Sequence, residues 1–157
     1  MNLIQSLIAF LGRALLSIIF IAAGVKQILN WQTSEQYFTK GLTDWLTLNV
    51  GNPMLQSAIE FGLTHSFLLF LLAVIFETVG GLLVFLGLWV RLGSLLLIIF
   101  LIPTTLVFHH FWQLQAADRD LQMINFMRNI SILGGLLILL ALGKGHKSEK
   151  SHHVEGD

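Results

Sequence analysis

The chain has 157 residues, a formal net charge of zero and no cysteine. Hydrophobic residues make up 55% and charged residues only 11%, against roughly 25% charge in soluble domains, and mean hydropathy is +0.77. Such a chain cannot clothe a soluble surface with polar side chains, so composition points to one integral membrane domain. It excludes disulfides, thiolate nucleophiles and cysteine-held metals, and it offers no electrostatic basis for binding nucleic acid.

The sequence predicts an all-α fold, a four-helix bundle in the membrane. A span needs about 20 apolar residues, and backbone groups in lipid must pair within the segment, which requires helix. The first predicted span is residues 3–25, interrupted by Arg13. Its opening stretch Asn2–Gly12 is uncharged, so it lacks the basic start of a signal peptide, although Ala22-Ala23-Gly24 resembles a cleavage site.

Residues 26–65 form a long link, with an interfacial helix expected around Ser34–Leu48 and Ser34 as its cap. The second span is residues 66–90, with Glu77 its only charge before Arg91. The third, 92–111, is uncharged, and Pro103 should kink it because proline lacks the N–H of a helical bond. His109 and His110 stand at its end.

The fourth span is residues 121–142, interrupted by Arg128. Residues 1–143 thus form the domain, and 144–157 a polar tail expected to be disordered. "RALLSIIF" from Arg13 resembles "RLGSLLLIIF" from Arg91, and "GGLLVFLGL" from Gly80 resembles "GGLLILLALG" from Gly134. Two helical hairpins in parallel repeat would account for both likenesses.

Four spans put both termini on one side. That side holds Arg91, Lys144, Lys147 and Lys150; the other holds Lys26, Lys40 and Arg119, diluted by acidic residues. The bias favours cytoplasmic termini, with Trp31 and Trp112 at the outer interface and Trp89 at the inner one.

A charge inside a span costs about 2.5–3.5 kcal/mol on insertion scales. Arg13, Glu77 and Arg128 are therefore expected to face the bundle interior. Counted from the span ends at about 1.5 Å per residue, Arg13 and Glu77 fall near the midplane and Arg128 somewhat above them. Helical spacing groups Arg13, Ser17, Gly24 and Gln27 on one face, Ser66, Ala73, Glu77, Gly80 and Gly81 on another, and Asn125, Arg128, Ile132 and Gly135 on a third. Small residues there would let helices approach.

Two readings of this cluster stand side by side. It is a buried pin that sets helix register, or it is the floor of a polar pocket. Two arginines against one carboxylate leave one positive charge in excess, which suits a carbonyl-bearing or small anionic ligand such as a quinone head group, an oxyanion or a lipid phosphate.

His109 and His110 read either as interfacial side chains or as proton donors and acceptors at a ligand carbonyl. Helical neighbours point about 100° apart, so the two do not suit one metal. A bis-histidine haem would need His65 from another helix, so haem is disfavoured and no metal site is predicted. The tail histidines His146, His152 and His153 are expected to be solvated.

The run "FHHFWQLQAADRDLQMINFMRNISILGGLLIL", Phe108–Leu139, resembles the C-terminal half of the DoxX family, especially its bacterial inner-membrane members. The matching residues are His109, His110, Phe111, Trp112, Met123, Ile124, Asn125, Phe126, Arg128 and Asn129. Glu77 with "LGLWVR", and "LGRALLSIIFIAAGVKQILNW" with Arg13, Gly24 and Lys26, resemble it as well. The likeness covers residues 8–143. Two departures stand out: only Val25 separates Gly24 from Lys26, where members commonly have two residues, and Arg128 replaces a frequent lysine with a planar, bidentate donor.

The resemblance implies a multi-pass protein of the bacterial inner membrane. Some members belong to thiosulfate:quinone oxidoreductase or terminal quinol oxidase systems, and others to redox-stress complexes. Combined with the charged residues, it leads to an expected quinone- or small-ligand-binding subunit supporting an oxidoreductase system. Arg13, Arg128, Asn125, Asn129, His110 and Lys26 would bind the ligand, Glu77 and His109 would handle protons, and electrons would come from a redox partner protein or a diffusible donor. Whether the chain is itself catalytic stays open. The alternative is a non-enzymatic carrier, or an assembly or scaffold protein in which the buried charges are structural.

Overall fold

The computed structural model describes residues 3–143. Over that range the chain forms α1 (Leu3–Leu29), α2 (Trp31–Leu48), α3 (Pro53–Thr64), α4 (Ser66–Leu86), α5 (Val90–Phe108), a 3-10 turn (Phe111–Gln113) and α6 (Ala116–Leu142). The expected tail, 144–157, lies outside the described residues. Leu3–Leu29, Ser66–Leu86, Val90–Gln113 and Asp118–Leu142 are long and apolar enough to cross a membrane, so the all-α membrane bundle stands.

In lipid the hydrophobic effect does not press helices together, so close packing must do so. The sequence supplies it with glycine. A methyl group on Gly81 would come within 3.0 Å of Ile21 on α1, and one on Gly80 within 2.9 Å of Leu97 on α5. From the facing side, a methyl on Gly24 would strike the Thr78 hydroxyl and one on Gly93 the Gly80 carbonyl. α4 is thus held close between α1 and α5, while α6 packs on α5 and reaches α1 where Gly135 meets Leu16. The core enclosed is Phe20, Val84, Leu97, Ile98, Leu101 and Leu136.

α4 ends at Gly87, whose φ of 69° ends the helix in the left-handed region, with the Leu88 N–H donating to the Leu83 carbonyl at 3.0 Å. Trp89 follows at φ 45° and is 78% exposed. It lies at the end of the bundle that holds both described chain ends. Trp31, packed on Phe67 and Phe70, and Trp112 lie at the opposite end, as expected for two aromatic belts.

The 26–65 link holds two helices rather than one. α2 begins at Trp31, three residues before the expected cap Ser34. α3 has a start signal that the expectation missed. Asn52 accepts a bond from the Leu55 N–H at 3.2 Å, and Pro53 fills the first helical position. α2 and α3 share a small core of Leu42, Ile59 and Val107, seated on the last turn of α5. They cap one end of the bundle.

α5 runs continuously through Pro103 and stops at Phe108, so His109 and His110 lie beyond the helix instead of in its last turn. The Thr104 and Thr105 hydroxyls turn back onto the helix, donating to the Phe100 carbonyl at 2.7 Å and the Leu101 carbonyl at 2.6 Å.

The glycine seam yields a stability prediction. Gly93→Ala should cost about 1–3 kcal/mol through overpacking. Gly134→Ala, where nothing lies within 4 Å, should be neutral or stabilising by up to about 1 kcal/mol. Denaturant unfolding in mixed micelles measures both, and equal effects would refute the seam.

Candidate functional site

The expected charge cluster is not assembled. Glu77 is buried, 4% exposed, and its carboxylate accepts a hydrogen bond from the Gln27 amide at 2.8 Å. Arg13 is also buried, at 7%, but it lies fourteen residues before Gln27 on the same helix, about 21 Å along the axis. The depth estimate failed because α1 runs past residue 25 to Leu29 and sets its far end against the middle of α4. Lys40 and Asp44 form a salt bridge on α2 at 2.5 Å, apart from the three expected charges.

Arg128 is exposed. The inward face of α6 is set by Asn129, whose amide donates to the Thr105 hydroxyl at 2.9 Å, and by the fully buried Leu136. A residue one position before Asn129 points about 100° away. The face predicted from Asn125, Arg128, Ile132 and Gly135 therefore needs a small rotation. Asn125 stays half-buried, and Arg128 leaves the interior. Lys26 is exposed at the capped end.

The polar groups that do converge are at the capped end. A cavity of about 460 Å³ opens there between α2, the end of α5 and the start of α6. Its lining includes Tyr37, Lys40, Asp44, His110, Asp118 and Gln122. Val107 and Phe108 form its apolar wall. Its size falls within the range of about 300–1,000 Å³ typical of small-molecule sites.

His110 is 8% exposed, and its Nδ1 lies 2.7 Å from the Val107 carbonyl. A carbonyl only accepts, so Nδ1 carries the proton, and in the neutral ring Nε2 is then an acceptor. His109 Nδ1 donates to Gln122 Oε1 at 2.7 Å and so fixes the cavity side chain Gln122. Gln113 donates to Asn49 at 3.2 Å, tying the 3-10 turn to the α2–α3 junction. Phe111, Trp112 and Phe126 pack edge to face behind it.

Of the predicted site residues, His110 lines this cavity and His109 orients a residue that does. Asn129 is engaged with Thr105, and Arg13, Glu77, Arg128, Lys26 and Asn125 are not among the lining residues. Tyr37, Lys40, Asp44 and Gln122 were missed as site residues. For the first three the signal was the i, i+3, i+4, i+7 set of Tyr37, Lys40, Gly41 and Asp44 on the amphipathic α2, but nothing in the sequence says which element that face covers.

The DoxX family model matches residues 8–110. The chain belongs to the DoxX family. The match ends at His110, so the Phe111–Leu139 run that resembled the family lies outside it. That run is spanned by a longer likeness, to "Inner membrane protein YphA" of Escherichia coli (strain K12), 26% identical over 141 residues and covering 90% of this chain and 86% of the relative. No solved structure matches the chain.

The separation of charges is testable by double-mutant cycles on unfolding. Gln27→Leu with Glu77→Leu should show a coupling of about 0.5–3 kcal/mol, as for residues in contact. Arg13→Met with Glu77→Leu should be additive within about 0.5 kcal/mol. Strong coupling in the second cycle would restore the charge cluster.

Proposed function

We propose that this DoxX-family chain is a multi-pass inner-membrane protein that binds a neutral, carbonyl- or hydroxyl-bearing head group of the quinone class in the capped-end cavity, in support of an oxidoreductase system. The observation that carries this reading is the cavity's chemistry. Its charged lining residues are Lys40, Asp44 and Asp118, one cation against two anions, which disfavours the small anionic ligand considered from sequence. What remains for recognition is a neutral hydrogen-bonding set: the Tyr37 hydroxyl, the Gln122 amide and the His110 ring. The name of the Escherichia coli relative supports the location.

A quinone held there would carry electrons between the membrane pool and a partner protein and would exchange protons at its oxygens. His110 is suited to that exchange, because Val107 fixes its tautomer and leaves Nε2 to accept or return a proton. Gln122, fixed by His109, would orient the head group. Glu77, bonded to Gln27 inside the bundle, would be structural rather than catalytic. That last feature also favours the second reading, a non-enzymatic carrier or scaffold, in which the same cavity binds a ligand without redox turnover.

Solvent extraction of protein purified from bacterial membranes should release quinone. Added quinone at about a hundred times its Kd should stabilise the fold by about 2.7 kcal/mol. His110→Phe and Gln122→Leu should each weaken that effect, and Arg128→Met should not. No extracted quinone and no stabilisation would refute the proposal. Quinone binding that no electron donor can reduce would favour the carrier or scaffold.

A further inference from the structure

A second cavity, of about 280 Å³, lies directly behind the first. Its lining includes Leu72, Ala73, Ile99, Pro103, Thr104 and Phe108, and the remaining lining residues are all apolar. Thr104 is the single polar side chain, and its hydroxyl is already donated to the Phe100 carbonyl. The exposed Leu72, Ile99 and Pro103 place its mouth on the flank of the bundle, within two candidate spans. It is an apolar chamber reached from the hydrocarbon side.

The two cavities share one wall, Val107 and Phe108. The Phe108 ring is seated rather than loose. It stacks on Tyr37 with centroids 5.5 Å apart and planes 12° from parallel, and it lies against Phe38 at 6.1 Å. Gly41 makes that seat, since a methyl there would come within 2.2 Å of the ring. A hydrogen-bonding chamber and an apolar chamber, back to back and separated by Val107 and the Phe108 ring, match an amphiphile with a polar head and a hydrocarbon tail.

We propose that the apolar chamber is the tail subsite of the head-group cavity, that its occupant is the hydrocarbon tail of a membrane-soluble quinone, and that Phe108 is the partition between the two. This rests on the head-group reading above and goes beyond it. The ligand enters tail-first or head-first from the flank between α4 and α5, and the Phe108 ring leaves its seat on Gly41 when head and tail occupy both chambers. The residues that set tail selectivity are then Ala73 and Thr104, which line the apolar chamber alone, while Phe108 borders both chambers.

The test compares two probes on the full-length protein in mild detergent, tetramethyl-benzoquinone without a tail and decyl-benzoquinone with one, by quenching of intrinsic tryptophan fluorescence. Wild type should bind the tailed probe about tenfold more tightly, a difference of about 1.4 kcal/mol. Ala73→Phe fills the apolar chamber alone. It should erase that advantage and leave the tail-less probe within about twofold. Thr104→Leu narrows the same chamber and serves if Ala73→Phe does not fold. Phe108→Ala should tighten the tailed probe further.

Equal affinity of wild type for both probes would overturn the tail subsite, as would parallel loss of both probes in Ala73→Phe and Thr104→Leu. Loss of the tailed probe in Phe108→Ala would overturn the partition. Reversal of the tailed probe's quenching by dioctanoyl-phosphatidylglycerol, with the tail-less probe's quenching unchanged, would assign the chamber to a phospholipid chain instead. Failure of wild type to bind either probe would sink the head-group reading itself, a result distinct from all of these.

Discussion

The close approach of α4 to both of its neighbours governs the rest of the structure. Gly81 and Thr78 meet α1 at Ile21 and Gly24, and Gly80 meets α5 at Gly93 and Leu97. Glycine pairs of this kind allow backbone contact where larger residues would hold helices apart. Because the contacts alternate along α4, one helix is locked on two sides, and its register against α1 is set. That register puts Gln27 opposite Glu77. The carboxylate, costly in lipid by itself, is met by a neutral amide, and Arg13 is left near the other end of the bundle.

From this follows the location of the polar site. With the buried carboxylate bonded inside the bundle, convergent polar groups occur where α5 gives out. α5 ends at Phe108, and the chain turns through His109, His110 and the 3-10 turn before α6. The cap formed by α2 and α3 closes over this turn through the Leu42, Ile59 and Val107 core. Two chambers result, one polar beneath the cap and one apolar facing the spans. The DoxX membership of the chain gives this arrangement a membrane setting, and the chemistry of the chambers is the basis of the proposed ligand class.

Much of the fold was legible from sequence because lipid leaves so few choices. Apolar length alone located the spans, and the tryptophans marked the two ends. Gly80 and Gly81 were correctly expected to admit a neighbouring helix. The site was much less legible. Depth was counted from apolar boundaries, and the extension of α1 to Leu29 is written in mixed residues, Lys26 and Gln27, which look like its end. Arg128 was assigned inward because charges avoid lipid, yet α6 turns Asn129 toward Thr105 and Leu136 into the core, which leaves Arg128 exposed. The α2 side chains Tyr37, Lys40 and Asp44 become a cavity wall only through a tertiary contact with Phe108 and Val107, which no local pattern encodes.

The central claim is that the ligand site lies under the α2–α3 cap, between Tyr37, His110 and Gln122, and continues past Phe108 into the apolar chamber. An electron cryo-microscopy map of the protein prepared from native membranes, without added ligand, tests it most directly. The account predicts elongated non-protein density with its compact end beside His110 and Gln122 and its thin end between Ala73 and Thr104. Density beside Glu77 and Arg13, with both chambers filled only by their own side chains, would contradict it.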